Sequence, residues 1–224
     1  MARKTKVQAA DTRERLLDAA EAVFRAQGVA NTSLTTVAAA AGVTRGAVYW
    51  HFKNKADLFS AMCQRTPLPL DSVLDANGSQ GQADPLAAVR ERLVTALAQL
   101  ADNPRTQTVF EVVFHKTELS GEMAAIAGQQ ERNRSDWRAG VEAMLEHAVG
   151  IGQLPFDTDT MLAARLLHAF MSGVLREWVL DKGAYDLAAR APSLVDTLLA
   201  GLVANPPRRS HRVRPRVRPR ANMV

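Results

Sequence analysis

The side chains best suited to specific chemical contacts are concentrated in one short stretch, residues 44–55. Ala47 and Val48 are spaced to face a preceding helix, so the residues around them are expected on the outward face. These outward residues are Thr44, Arg45, Gly46, Tyr49 and Trp50. An arginine can bind guanine O6 and N7 together, aromatic edges can contact thymine methyls or phosphates, and glycine permits close approach. The pattern predicts a helix that enters the major groove of double-stranded DNA.

Positive charge and a predicted helix start follow directly after this surface. His51, Lys53 and Lys55 flank it, whereas Phe52 is expected in the core. Asn54 is placed to cap the next helix. The free amide groups at that helix N-terminus, together with Lys55, can bind a backbone phosphate.

The elements that must position this surface have the form of a helix-turn-helix, LTTVAAAAGVTRGAVYWHF over Leu34–Phe52. Ser33 can cap the first short helix, and Ala38, Ala41 and Gly42 are small enough for two helices to cross closely. A different interpretation is that the aromatic residues form a small core in an alanine-rich protein. The agreement of caps, glycine turn, outward arginine and local positive charge favours DNA binding.

Apolar residues recur at intervals of three and four along most of the chain, without an alternating strand of useful length. The chain is therefore predicted to be all-α, with about nine helices. The first is expected near 11–27, with Asp11 and Glu14 as a capping box and Gly28 as the stop. The others are expected at 34–41, from Thr44 to His51, from Asn54 to a break at Pro67 and Pro69, from Pro85 to Pro104, and at 105–118, 122–151, 158–181 and 187–204.

The net charge of +5 over 224 residues is unevenly distributed. Residues 1–60 carry nine Lys/Arg and five acids, residues 61–205 carry twelve and eighteen, and residues 206–224 carry seven arginines and no acid. A basic N-terminal module beside an acidic body indicates that the module meets a polyanion. The Arg/Pro-rich tail, 206–224, is predicted to be disordered, and its arginines either strengthen non-specific DNA contact or act as a solubilising end.

Several classes of protein are disfavoured by composition. A single cysteine, Cys63, excludes an intramolecular disulfide framework and fits a reducing cytoplasm. The apolar stretch Met161–Leu180 is interrupted by Arg165, His168, Arg176 and Glu177 and is too polar for a membrane span. Met1–Phe24 lacks an apolar signal core. A cytoplasmic protein without a membrane partner is expected.

Catalysis and metal binding are not expected. The sequence contains no nucleophile elbow, phosphate loop or Cys/His pair, so neither an enzyme nor a cofactor is predicted. Glu111, His115, Glu118 and Glu122 share a helical spacing, but no second His or Cys supports a metal site, and a solvated charged face is favoured.

The chain resembles a known family in its N-terminal third. The runs TSLTTVAAAAGVTRGAVYWHF and KNKADLF, preceded by a helix that ends in Phe24 and Gly28, look like the DNA-binding domain of TetR-family transcriptional regulators, here residues 10–70. The start MARKTK and the later FHKTELSGEM, Phe114 to Met123, are similar to AcrR-like repressors of multidrug efflux operons.

This resemblance implies a homodimer that reads a palindromic operator. The helix-turn-helix would span about 33–52, the effector-binding and dimerisation body 71–205, and the last two long helices would form the dimer bundle. Thr44, Arg45, Gly46, Tyr49 and Trp50 occupy recognition-helix positions, while His51 and Lys55 match phosphate contacts. In the family the fourth helix is a rigid link into the body, and Pro67 and Pro69 depart from that pattern.

A hydrophobic effector is expected among large or adaptable side chains of the body helices. The candidate effector contacts are Phe114, His115, Gln130, Trp137, Phe170, Met171, Val174 and Trp178. Each of them could instead be ordinary core packing. The leading interpretation is a ligand-released repressor of an efflux operon, and the alternative is a sequence-nonspecific architectural DNA-binding protein without small-molecule control.

Overall fold

A computed structural model of the chain describes residues 2–66, 83–118 and 121–209. Within these ranges the chain is all-α, as predicted, with nine α-helices, one short 3₁₀ turn at Gly121–Met123 and no strand beyond a single isolated β-bridge. The helices are α1 Ala2–Gln27, α2 Leu34–Ala40, α3 Arg45–His51, α4 Lys55–Arg65, α5 Pro85–Asp102, α6 Pro104–His115, α7 Ala124–Gly150, α8 Thr160–Leu180 and α9 Leu187–Ala204.

The ends of the short N-terminal helices are set by local side-chain chemistry. Ser33, Thr44 and Asn54 each accept a hydrogen bond from the backbone N–H three residues later, at 3.1, 3.2 and 2.8 Å. Gly28 and Gly42 have φ angles of +82° and +64°, the left-handed conformation that ends α1 and α2. The caps and stops predicted for these helices are confirmed.

Two predicted boundaries differ from the structure. α1 begins at Ala2, so Asp11 and Glu14 lie inside the helix and the predicted capping box is wrong. The preceding residues lack an apolar stripe but contain Ala, Lys, Arg and Gln, which favour helix without one. α4 ends at Arg65, directly before Thr66; Pro67, Pro69 and most of the predicted 75–84 loop lie outside the described residues.

The apolar interior consists of two clusters that meet at α6. The DNA-module cluster contains Phe24, Val48, Phe52 and Phe59, all at most 2% exposed. The body cluster joins α5, α7, α8 and α9. Three buried valines of α6, at positions 109, 112 and 113, belong to the DNA-module cluster, while Phe110 of the same helix belongs to the body cluster. α6 is therefore shared by both modules.

Charged side chains reinforce this junction. Arg65 of α4 binds three carboxylates of α1, Glu14 at 3.1 Å, Asp18 at 2.9 Å and Glu21. Arg105 of α6 binds Asp18 at 2.6 Å and lies 3.5 Å from Glu21. Burial of the Arg65 guanidinium disfavours its charge, but its hydrogen bonds to Glu21 and Glu14 outweigh this and raise the pKa of Arg65. α1, α4 and α6 are thereby tied together.

The end of α9 is held against the connection between α7 and α8. Pro207 accepts a hydrogen bond from the Asp159 backbone N–H at 2.7 Å, Arg209 donates its backbone N–H to the Asp157 carbonyl at 2.8 Å, and Arg208 pairs with the Asp157 carboxylate. Pro206 is buried. The prediction that disorder begins at 206 is wrong for residues 206–209, because their backbone has hydrogen-bond partners; residues 210–224 lie outside the described part of the chain.

Among the described residues one helix, α9, is long and apolar enough to cross a membrane by length and composition, with a mean hydropathy of 1.4 over its 18 residues. One face of α9 packs into the body cluster through residues that include Leu187, Val195 and Leu199. Only 22% of this stretch is buried, so packing against the body cluster accounts for one face of α9 and not for its apolar composition as a whole.

Candidate nucleic-acid interface

The helix-turn-helix is built around a small buried contact. Val37 and Ala38 of α2 and Val48 of α3 are buried, at 0, 2 and 0% exposure. Arg15 of α1 donates a hydrogen bond from Nη2 to the Ala41 carbonyl at 2.7 Å, which satisfies a free acceptor at the end of α2. α1 therefore fixes the turn from which α3 projects.

α3 presents the predicted residues to solvent. Thr44, Arg45 and Gly46 are exposed at its start, and Tyr49 and Trp50 are 48% and 73% exposed. An exposed tryptophan next to an exposed tyrosine is costly for a protein surface and is typical of a contact site. The geometry thus provides a projecting helix with an arginine at its N-terminal end, the end that reads base edges in helix-turn-helix proteins.

Arg45 is held in position by its neighbour on the same helix face. Its guanidinium carbon lies 5.6 Å from the centroid of the Tyr49 ring, a cation–π arrangement. A Cβ added at Gly46 would meet only Thr44 Oγ1, at 3.9 Å, an ordinary contact. The protein's own packing therefore does not require a glycine at 46, which fits the expectation that this position approaches a ligand closely.

His51 and Arg13 form the basic flank of α3. His51 is half-buried, with its ring edge-on to Trp50 at 4.5 Å. The guanidinium of Arg13, from α1, lies over the Phe52 ring at 5.5 Å. Burial and then the positive charge of Arg13 lower the pKa of His51. Sequence reasoning missed Arg13, because the contact spans 39 positions between Arg13 and Phe52 and no local motif signals it.

Lys55 and the α4 N-terminus are less open than predicted. Lys55 donates from Nζ to the Ala30 carbonyl at 3.1 Å, which joins α4 to the turn after α1. The Asp57 carboxylate accepts the Lys53 backbone N–H at 3.0 Å and adds negative charge at the same helix end. A phosphate at this position would share the Lys55 ammonium group with the Ala30 carbonyl. The exposed Lys53 side chain offers a further positive contact.

The imidazole of His51 gives DNA binding an expected pH dependence. A nearby phosphate favours the imidazolium form, whereas the free protein disfavours it, so binding takes up a proton and affinity rises as pH falls from 7.5 to 5.5. His51→Gln is expected to remove this gain in DNA affinity. The gain is about 2–5-fold, because an exposed ion pair contributes about that much to binding. Fluorescence anisotropy of labelled DNA across this pH range measures it; an identical pH profile in both proteins would contradict the assignment.

Stability should show the opposite pH dependence at His51. The folded-state pKa is lowered from 6.5, so the unfolded chain binds more protons around and below pH 6.5. This contribution is present above pH 6.5 and is lost as pH falls. Urea unfolding of the wild-type and His51→Gln proteins without DNA, across the same pH range, serves as the control.

The residues predicted to bind an effector divide into two groups. Trp137, Met171 and Trp178 are buried in the body cluster, and the Trp178 indole N–H donates to the Tyr185 carbonyl at 3.1 Å, a structural role. The second group is half-buried and consists of Phe114, His115, Gln130, Phe170 and Val174. The structure therefore places these side chains on α6, α7 and α8 around the body core.

Two features of this region bear on ligand binding. The indole nitrogen of Trp137 is buried without a hydrogen-bond partner, an unused donor inside an apolar cluster. Phe114 is stacked on Phe110 with ring centroids 4.6 Å apart, and the Arg176 guanidinium lies 5.8 Å from its centroid. His115 Nε2 lies 3.2 Å from the Arg176 carbonyl and borders a cleft of about 600 Å³ between α1, α6 and α8.

The predicted helical spacing of Glu111, His115, Glu118 and Glu122 does not continue past α6, because that helix ends at His115. Glu111 pairs with Arg25 of α1 at 3.0 Å, and Glu118 is exposed. Across the described ranges, no group of three or more His, Cys, Asp or Glu side chains is arranged to hold a metal ion.

Two family models match the chain, one for each module. The model described as bacterial regulatory proteins, tetR family, matches residues 16–62, and the C-terminal region of MAATS-type transcriptional repressors matches residues 84–203. The transcriptional regulator TtgR of Pseudomonas putida is 37% identical over 206 residues, 92% of this chain and 98% of TtgR. AcrR of Shigella flexneri is 37% identical over 199 residues, 89% and 93% of the two chains.

Solved structures of repressors are also similar to this chain. NalD, the secondary repressor of the MexAB-OprM multidrug efflux pump in Pseudomonas aeruginosa, has a TM-score of 0.78 at 28% identity and covers 86% of this chain and 97% of its own. The SmeT–triclosan complex has a TM-score of 0.73 at 34% identity, with 85% and 91% covered. The relatives are regulators rather than enzymes, and the chain belongs to the TetR family of transcriptional repressors, within the AcrR-like group related to efflux-pump regulators.

Proposed function

We propose that the protein acts in the cytoplasm as a ligand-responsive repressor, which binds a palindromic operator as a homodimer and is released by hydrophobic effectors. The observation that carries the proposal is the exposed surface of α3, where Arg45 is braced by Tyr49 beside Trp50. Arg45 takes the base-reading role, Thr44, Gly46, Tyr49 and Trp50 complete the groove contact, and His51 and Lys55 bind phosphates.

Unpartnered apolar residues on α8 and α9 support the dimer. Met161, Leu162 and Leu166 of α8 are 52%, 42% and 49% exposed, and Val203 of α9 is 45% exposed. Gly173, also exposed on α8, allows a second helix to approach closely. A symmetric pair formed through these faces would present two α3 helices to half-sites about 34–36 Å apart.

Effector binding is proposed between α6, α7 and α8, at the residues predicted from the sequence. Phe114, His115, Gln130, Phe170 and Val174 supply the half-buried wall. Deeper contacts would come from Trp137, Met171 and Trp178, with the unused indole N–H of Trp137 as a donor for an effector oxygen. The likeness to SmeT, solved with triclosan, supports a drug-like ligand.

Coupling between the two sites follows from the shared position of α6. Phe114 and His115 lie at its C-terminal end, while its valines pack in the DNA-module cluster and Arg105 at its start binds α1. A ligand that moves α6 therefore moves α1, and with it the turn held by Arg15. Such linkage is typically worth about 1–3 kcal/mol, or about 5–150-fold in operator affinity.

The likeness to NalD and SmeT, which repress multidrug efflux pumps, supports a multidrug efflux operon as the target. The alternative function, an architectural protein that binds DNA without sequence preference, is favoured by the Arg-rich tail alone. The two differ in two properties, since only the repressor prefers a specific DNA sequence and only the repressor responds to a small molecule.

Release of DNA by a hydrophobic compound tests the proposal. Triclosan and quercetin are titrated into the complex of the protein with its own upstream DNA, followed by anisotropy. At least one compound is expected to release the DNA, and Gln130→Ala is expected to raise the required concentration about 5–10-fold through loss of a hydrogen bond.

The neighbouring residue supplies the matched control. Gln129 is exposed and bonds to Arg132 and Asn133 of its own helix, so Gln129→Ala should leave the release curve unchanged. DNA that stays bound in the presence of both compounds at saturation would favour the architectural alternative.

A further inference from the structure

A groove lies on the outer side of α5, away from the proposed effector site. It has a volume of about 840 Å³ and is bordered by the end of α4, the second half of α5 and the start of α6. This volume is within the usual range of small-molecule sites in proteins. The described side chains that border the groove include none of those proposed to contact the effector.

The two faces of α5 separate the groove from the body core. Leu93, Leu97 and Leu100 pack in the body cluster and are fully buried. With 3.6 residues per helical turn, Ala98 and Asp102, which border the groove, lie on the opposite side of α5. A molecule in the groove would therefore leave the packed side chains of the body in place.

The α4 wall of the groove contains two polar atoms that the described part of the chain leaves without a hydrogen-bond partner. Thr66 is 5% exposed, and its hydroxyl oxygen is one of them. The other is Nε of Arg65, whose two terminal nitrogens bind three carboxylates of α1. Buried polar groups without a partner are rare and costly. A hydroxyl and an N–H donor are thus left for an acceptor atom of a ligand.

Side-chain movement at the groove wall would bring a ligand to these two atoms. Both atoms lie beneath the surface of the wall. Gln99, Asp102 and Arg105 border the groove with exposed side chains. Rotamer changes of this kind commonly accompany binding, and they need no change in the backbone.

Charge around the groove favours a neutral ligand. The Arg65 guanidinium is already neutralised by its three carboxylates, and Arg105 is paired with a carboxylate of α1 at 2.6 Å. The exposed carboxylate of Asp102 opposes an anion, whereas the two guanidinium groups oppose a cation. Val94 and Ala98 supply a half-buried apolar wall. Apolar walls with a few placed donors are typical of sites for apolar compounds that carry an acceptor oxygen.

We propose that this groove is a second small-molecule site, which binds a neutral apolar compound with its acceptor oxygen at Arg65 Nε and the Thr66 hydroxyl. The bound molecule would contact α4, α5 and α6 together, and would thereby join the DNA module to the body. Binding in the groove does not depend on the proposed operator binding, so it is measured on the full chain without DNA.

Nile red is the probe, because it is neutral, carries a carbonyl oxygen and fluoresces more strongly in apolar surroundings. Ala98→Trp fills the groove and is expected to lower the number of dye molecules bound per chain by one. Ala87→Trp is the matched control, at an exposed position of α5 outside the groove, and should bind the dye like wild type. Gln130→Ala, in the proposed effector site, should leave the groove component of dye binding unchanged.

Thr66→Val separates a ligand contact from a structural role of the hydroxyl. It keeps the shape of the side chain and is expected to weaken dye binding in the groove by about 2–10-fold, the equivalent of one hydrogen bond. The urea midpoint should not fall, since the described residues offer this hydroxyl no partner. A lowered midpoint with unchanged dye affinity would overturn the proposal.

The groove assignment is also overturned if Ala98→Trp and Ala87→Trp proteins bind the same number of dye molecules as wild type. Ala98 is half-buried, so urea unfolding of both tryptophan variants checks that they are folded. If Ala98→Trp lowers the urea midpoint, the dye affinity of the Thr66→Val protein decides the result.

Discussion

Replacing Arg45 by alanine is expected to weaken operator binding by about 1–3 kcal/mol, or about 5–150-fold, and to relax base discrimination at one position in each half-site. Arg45 begins α3, its guanidinium lies over Tyr49, and it is exposed, so its loss removes a base contact without opening the core. The free energy of unfolding of the DNA-free protein should therefore stay within about 0.5 kcal/mol of the wild-type value.

Lys53 supplies the contrast for this prediction. Its side chain is exposed beside α3, and Lys53→Ala is expected to weaken operator and scrambled DNA alike, with a salt slope reduced by about one. Competition anisotropy with operator variants changed one base pair at a time separates the two effects. Arg45→Ala protein that keeps both its affinity and its base preference would show that α3 does not read the bases.

Replacing Arg65 by alanine is expected to lower the free energy of unfolding by about 2–4 kcal/mol. The Arg65 side chain is 12% exposed and is shared by three carboxylates, of which Glu21 is 10% exposed. Removing one partner of a buried ion pair costs about 3–5 kcal/mol, and the estimate is reduced here because Arg105 remains 3.5 Å from Glu21.

Urea unfolding followed by circular dichroism measures this effect, and a second substitution identifies its origin. If the cost comes from an unpaired carboxylate, Glu21→Gln in the Arg65→Ala protein should recover a large part of the lost stability. Glu118→Gln, at an exposed position, is the control and should recover nothing. A single Arg65→Ala variant as stable as wild type would mean that the ion pairs of Arg65 do not stabilise the junction.

Local chemistry explains why the helix-turn-helix could be predicted to within about one residue. The caps at Ser33, Thr44 and Asn54 and the left-handed stops at Gly28 and Gly42 each depend on neighbours within four positions. The outward face of α3 follows from its periodicity once Val48 is assigned to the core. The beginning of α1 was missed because residues 2–10 carry no apolar stripe that would reveal a helix.

The ion pairs between α1, α4 and α6 and the contacts of residues 206–209 with 157–159 could not be predicted, because the partners are distant in the sequence. Arg65 and Glu21 are 44 positions apart, and Arg208 and Asp157 are 51 apart. For residues 206–209 the composition gave a wrong prediction, because a Pro/Arg run indicated disorder. In the body, periodicity identifies side chains that face inward, but it does not separate Trp178, which bonds to Tyr185, from side chains that remain available to a ligand.

The central claim is that α3 reads a specific operator in the protein's own upstream DNA. Anisotropy of that labelled DNA and of a scrambled duplex of equal length, at 50 and 200 mM salt with competitor DNA present, tests it most directly. Tight binding to the upstream DNA that survives competitor and is lost with Arg45→Ala is the predicted result. Equal binding to both duplexes that collapses with salt would contradict the claim and assign the affinity to charge alone.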